Sequence, residues 1–180
     1  MQSRNKGLNE IELTAPIRSV CFDWGGTLMV DDGPDGVPMK LWPEVAAVSG
    51  ARECLSALQG RVQLCVATNA AQSSRQMIEA VLDRVDLLRF ISEIYCFTEI
   101  GFKKDKPEFW CALQKRLGVP FEQIVMIGDS LEHDVLAPRR VGLQALWFNP
   151  DGHHGPSPAG SAPVVTDLRE VSGIVLRALP

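Results

Sequence analysis

Apolar runs alternate with amphipathic stretches along most of the chain, and the alternation predicts its elements. Ile17 to Phe22 reads as a buried strand that stops at Asp23. Pro43-Glu44 opens a stretch with Val45, Val48, Leu55 and Leu58 at helical spacing before Gly60, which predicts one helix from Pro43. Val62 to Ala67 predicts a second strand running into Thr68-Asn69, followed by a helix over Ser73 to Val85. Ile91 to Phe97 is a third apolar run, and Pro107 opens a helix that ends near Leu117-Gly118. A fourth strand, Ile124 to Ile127, stops at Gly128-Asp129-Ser130. Glu132 to Val141 is helical in pattern, with Pro138 predicting a kink or an early end. Leu143 to Phe148 is a fifth strand, and Val164-Val165 with a helix from Asp167 to Leu179 closes the chain.

Strands separated by helices imply an α/β fold, a Rossmann-like doubly wound parallel sheet with helices on both faces. The polar segment 1–16 is expected to be loosely held, with a single domain over 17–180. Within it, 29–42 reads as a small flap, because Met29 to Pro38 is rich in Asp, Gly and Pro. Asn149 to Pro163, with His153 and His154, reads as a surface loop.

Composition narrows the function more than the fold. The net charge of −4, with no basic run beyond Lys103-Lys104, argues against nucleic acid as a partner. No stretch is long enough for a membrane span, and the polar start lacks the apolar core of a signal peptide. Five cysteines stand singly in apolar segments, as expected for buried free thiols in a reducing cytoplasm.

Candidate chemistry gathers where the predicted strands end. Asp23, Thr68 and Asp129 each follow a strand, and the carboxyl ends of parallel strands lie along one edge of a sheet. Gly25 and Gly26 let the backbone turn sharply beside Asp23. Carboxylates, a hydroxyl, a lysine and glycine-rich backbone suit a phosphate with Mg²⁺, a hard cation that favours oxygen ligands. Asp23 is also a candidate nucleophile, since carboxylates can attack phosphorus.

The order Asp23-x-Gly-Gly-Thr27, Thr68, Lys106-Pro107, Gly128-Asp129-x-x-x-x-Asp134 resembles the haloacid dehalogenase superfamily. The resemblance covers Val20 to Phe148 and implies Mg²⁺-dependent hydrolysis of a phosphate monoester through an aspartyl-phosphate. It implies Asp23 as nucleophile, with Asp23, the Gly25 carbonyl, Asp129 and Asp134 around the metal. Thr68 and Lys106 would hold and neutralise the phosphoryl group, with Gly26, Thr27 and Asn69 beside it. The substrate would be a phosphorylated small molecule or phosphoprotein.

The sequence departs from the superfamily at one point. The second Asp that most of its phosphatases carry, the proton donor to the leaving group, is here Gly25. Asp31 or Asp32 on the flap could replace it by geometry; otherwise the rate should depend steeply on the leaving group, and Gly25→Asp should restore the donor. Loss of the acid also leaves open a non-catalytic or regulatory protein binding phosphate, metal or another protein. Asp-Trp-Gly-Gly-Thr further resembles the start of phosphonoacetaldehyde hydrolases. Their large cap domain does not fit, because the intervals Thr27–Thr68 and Thr68–Lys106 are filled by core elements. The expected protein is minimally capped, with an open site.

Overall fold

Six apolar runs form one parallel sheet in the computed structural model, which describes residues 11–14, 16–150, 152 and 162–180. The strands are β1 (Ser19–Phe22), β2 (Gln63–Thr68), β3 (Glu93–Cys96), β4 (Ile124–Gly128), β5 (Gln144–Phe148) and β6 (Val164–Val165). Their order is β3-β2-β1-β4-β5-β6, so β1 lies centrally and the order reverses between β1 and β4. Ligands of open α/β sheets bind at such a reversal, beyond the carboxyl ends of the strands.

The strands are apolar on both faces because helices cover both. Val20 and Phe22 point into a core shared with α1 (Ala51–Leu58), α2 (Arg75–Arg84) and α6 (Leu168–Arg177). Cys21, Cys65, Ala67 and Met126 face the other way, against Phe109, Trp110 and Leu113 of α4 (Pro107–Leu117). A short α3 (Phe97–Ile100) follows β3.

Two elements and one cysteine differ from the sequence pattern. The helix expected from Pro43 begins at Ala51, because Val30 and Val48 bond to Ala46 and Leu28 and draw residues 46–48 into extended pairing beside the flap. Gly50, at φ +84°, then turns the chain into α1. The helix expected over Glu132 to Val141 is a π-helical turn, Leu131–Leu136, running into α5 (Ala137–Arg140). Pro138 has no N–H to donate back along that turn, which is where a regular ladder would fail. Four cysteines are buried as expected, but Cys111 is exposed on α4.

Between β1 and β2 the described residues form the flap and α1, with no inserted domain. The flap is fastened to the body. Trp42 packs against Gly33 and donates from Nε1 to the Val37 carbonyl at 2.9 Å, while Arg84 donates to the carbonyls of Trp42 and Pro43. The expectations for residues 1–10, 15, 151 and 153–161, including His153 and His154, lie outside the described residues.

Candidate active site

β1 places the central side chain. Phe22 pairs in register with Val66 on one side and Ile127 on the other, so Asp23 emerges level with the ends of both neighbouring strands. Asp129 follows β4 directly, and the first turn beyond it supplies Asp134. One oxygen from each of Asp23, Asp129 and Asp134 lies within 4.8 Å of the others. Three carboxylates that close repel one another unless a cation or a proton intervenes.

The intervening cation from the protein is Lys104. Its side chain is 2% exposed, and Nζ donates to Asp23 Oδ1 at 2.6 Å, Asp134 Oδ1 at 2.5 Å and the Ala67 carbonyl at 3.1 Å. Burial alone would lower its pKa, but the Asp134 and Asp23 carboxylates outweigh burial and hold the ammonium charged. Asp23 moves the other way. Burial raises its carboxyl to about 7, against the attraction of Lys104 and with the repulsion of Asp134 and Asp129.

Lys106, the lysine expected here, lies outside the site. Its side chain is 59% exposed and pairs with Asp105 at 3.2 Å. The reason lies in the start of α4: Pro107 fixes Lys106 as the N-cap, at the rim of the helix. Lys104 stands two residues earlier, in the turn that dips beneath the strand ends. Its backbone is held there by Asn69 Oδ1, which accepts from Lys104 N–H at 2.7 Å, and by Trp110 Nε1, which donates to the Lys104 carbonyl at 2.7 Å.

The other expected residues divide into those that face the cleft and those that support it. Thr68 and Asn69 line an open cleft of about 440 Å³ together with Asp23, Gly25, Lys104 and Asp134. Thr68 Oγ1 accepts from Ala70 N–H at 3.1 Å, which leaves its hydroxyl hydrogen to donate. Thr27 is fully buried and donates to Asp129 Oδ1 at 3.4 Å, so it steadies a carboxylate instead of facing the cleft. Gly26, at φ +79°, passes so close to Asp129 that a Cβ there would lie 2.5 Å from Oδ2. Asp134 is fully buried, and its Oδ2 accepts from Ser130 N–H at 3.0 Å. His133 is half-buried at the cleft wall, with Nδ1 3.1 Å from Ser130 Oγ.

The flap roofs the opposite side of the cleft with Val37, Pro38, Met39 and Trp42. Asp31 reaches the cleft from the same segment. Burial, then the neighbouring Asp32, raises its carboxyl above the usual range.

A buried carboxylate at a strand end, a lysine locked to it and a cluster of acidic oxygens can receive a phosphoryl group and a hard cation. Known proteins with the same framework carry related names. The chain is 28% identical over 131 residues to the pyrimidine 5'-nucleotidase YjjG of Escherichia coli, covering 71% of this chain and 56% of that protein. It is 30% identical over 125 residues to a phosphoglycolate phosphatase of Pseudomonas savastanoi, covering 68% of this chain and 44% of that protein. The chain thus spans about half the length of these curated relatives. Its fold matches the magnesium-bound crystal structure of the HAD-hydrolase YfnB of Bacillus subtilis, with a TM-score of 0.72 at 19% identity over 89% of this chain and 99% of that one. The family profile of haloacid dehalogenase-like hydrolases matches residues 39–142, more than half of the sequence. That profile takes in Thr68, Lys104, Asp129 and Asp134, and the chain belongs to the haloacid dehalogenase-like hydrolases.

Proposed function

We propose that the protein hydrolyses phosphate monoesters of small molecules, with Asp23 as the nucleophile and Mg²⁺ as the cofactor. The observation that carries this reading is the Lys104 bridge: one ammonium bonded to both Asp23 and Asp134 at the sheet reversal. It fixes Oδ1 of Asp23, while Oδ2 has no hydrogen bond from the described residues and is left to attack phosphorus.

The donor set fits the ion. Asp23, Asp129 and Asp134 bring three hard oxygens within 4.8 Å, and the carboxylates outnumber the single buried ammonium among them. Mg²⁺ bound there would supply positive charge to the phosphoryl oxygens and favour the ionised form of Asp23. The phosphatase names of the relatives and the magnesium in the YfnB structure support the same assignment.

The residues of this chain supply the remainder. Asp23 attacks phosphorus in line and displaces the alcohol, and water then attacks phosphorus to release phosphate and regenerate the carboxylate. Lys104 orients Asp23 and offsets charge on the phosphoryl group. Thr68 Oγ donates to a phosphoryl oxygen, and Asn69 holds the turn that carries Lys104. Phosphate release from a panel of small phosphate monoesters, with Mg²⁺ and with EDTA, tests the proposal. Turnover should require the ion and vanish in Asp23→Asn. Persistence in EDTA would remove the metal assignment, and persistence in Asp23→Asn would remove the nucleophile.

A further inference from the structure

An in-line displacement on Asp23 sends the leaving oxygen away from the sheet edge, toward the flap. An alkoxide is a poor leaving group, so that oxygen needs a proton, and the water that follows must lose one. The titratable groups lining the cleft are Asp23, Asp31, Lys104, His133 and Asp134. Asp23 is the attacking group, and Lys104 and Asp134 are bound to each other. His133 Nδ1 is engaged with Ser130. Asp31 makes no hydrogen bond or ion pair with the described residues, and it is on the flap side.

Its position is specific. A Cβ built on Gly25 would lie 2.6 Å from Asp31 Oδ2 and 3.1 Å from its Cγ. Within an aspartate, a carboxylate oxygen sits roughly 2.4 Å from its own Cβ by ordinary covalent geometry. The Asp31 carboxylate thus fills the space that a side chain at position 25 would enter. The backbone brings it there: Met29 bridges to Gly25, Leu28 and Met29 donate to the Trp24 carbonyl, and Val30 is tied to Ala46. Two residues beyond Met29, Asp31 returns to the same side, above Gly25.

We infer that Asp31 is the general acid and base of this site, delivered from the flap to the place where Gly25 carries no side chain. The inference rests on the proposed phosphatase reading. As Asp23 Oδ2 bonds to phosphorus and the P–O bond to the alcohol breaks, the Asp31 carboxyl proton passes to the departing oxygen. In the second step the Asp31 carboxylate takes a proton from water as it attacks phosphorus. The P–O bond to Asp23 then breaks, leaving phosphate and returning Asp31 to its acid form. The sum is ester plus water to alcohol plus phosphate.

The same contact changes the expectation for Gly25→Asp. In the wild-type background the new side chain would displace the Asp31 carboxylate from its place over Gly25. Gly25→Asp alone thus trades one donor for another, and removing Asp31 as well isolates the new one.

The test is kcat/KM over alkyl and aryl phosphates, with burst kinetics on an activated aryl phosphate, for wild type, Asp31→Asn, Gly25→Asp/Asp31→Ala, His133→Asn and the flap control Asp35→Asn. Wild type and Asp35→Asn should depend only shallowly on the leaving group. Asp31→Asn should lose about 10²–10⁴-fold on alkyl phosphates. On the aryl phosphate it should keep a burst of one equivalent followed by slow turnover, because loss of the base stalls the phosphoenzyme. The double variant should regain much of the alkyl activity. Asp31→Asn behaving as wild type, or His133→Asn showing these losses in its place, would overturn the inference while leaving the phosphatase reading intact. A wild-type protein with neither burst nor turnover would overturn both.

Discussion

At the scale of single residues, the site turns on which lysine is buried. Three of the four residues Lys103 to Lys106 are lysines, and the sequence offers no periodicity there to separate them. What separates them is three-dimensional: the N-cap position pins Lys106 at the helix rim, while Asn69 and Trp110 clamp the backbone of Lys104. Asp23 and Asp129, by contrast, were legible as acids directly after apolar runs. Lys104→Met should abolish phosphatase activity and destabilise the fold by about 3–5 kcal/mol, because it leaves two buried carboxylates without their counter-charge. Lys106→Met should change stability by no more than about 0.5 kcal/mol and leave turnover intact. Urea unfolding and steady-state rates on the two variants check both statements.

The raised Asp23 carboxyl gives a second prediction at this scale. Its pKa moves from 3.8 in the free side chain to about 7 in the folded, metal-free protein. Between those values the native state holds a proton that the unfolded chain releases, so its contribution to stability falls as pH rises through that window. Metal binding must displace that proton. Mg²⁺ should therefore raise Tm more at pH 7.5 than at pH 5, which a thermal-shift titration measures. An equal or larger shift at pH 5 would contradict the assignment of Asp23 to the metal.

At the scale of elements, the strands and most helices were legible because apolar runs and Pro or Gly punctuation agree with the fold. The misread elements are those whose shape comes from tertiary contact. Residues 46–48 follow a helical pattern but pair with residues 28–30 instead, and this pairing brings the flap down over the site. The position of Asp31 above Gly25 depends on that pairing, so the sequence could name it only as a possibility. The turn after β4 is equally exacting: a Cβ on Gly128 would collide with the Asp134 carboxylate. Gly128→Ala should displace Asp134 from Lys104 and lower kcat by at least tenfold, with little effect on KM. The flap anchor is gentler. Trp42→Phe removes the N–H that meets Val37 and should cost about 0.5–1.5 kcal/mol. Limited proteolysis should then cut the flap faster than in wild type.

At the scale of the whole molecule, a six-stranded parallel sheet brings residues more than a hundred positions apart in sequence to one edge, from Asp23 to Asp134. A parallel sheet follows from alternating strands and helices, and its carboxyl edge gathers the acids that follow β1 and β4. The sequence thus sketches the candidate site, while the strand order comes from the fold. No helix among the described residues is long and apolar enough to cross a membrane. The cleft is open to solvent, and the flap frames it with Trp42, Met39 and Val37, which gives the leaving group an apolar wall and the phosphoryl end a charged floor. Everything proposed for it depends on a covalent bond to one carboxylate. The most direct measurement is to quench the enzyme with acid during turnover of an activated aryl phosphate, reduce with borohydride, and map the modified residue by mass spectrometry. The account predicts conversion of Asp23 to homoserine, in proportion to the burst and absent from Asp23→Asn. Full turnover with Asp23 unmodified, or modification at any other carboxylate, would contradict it.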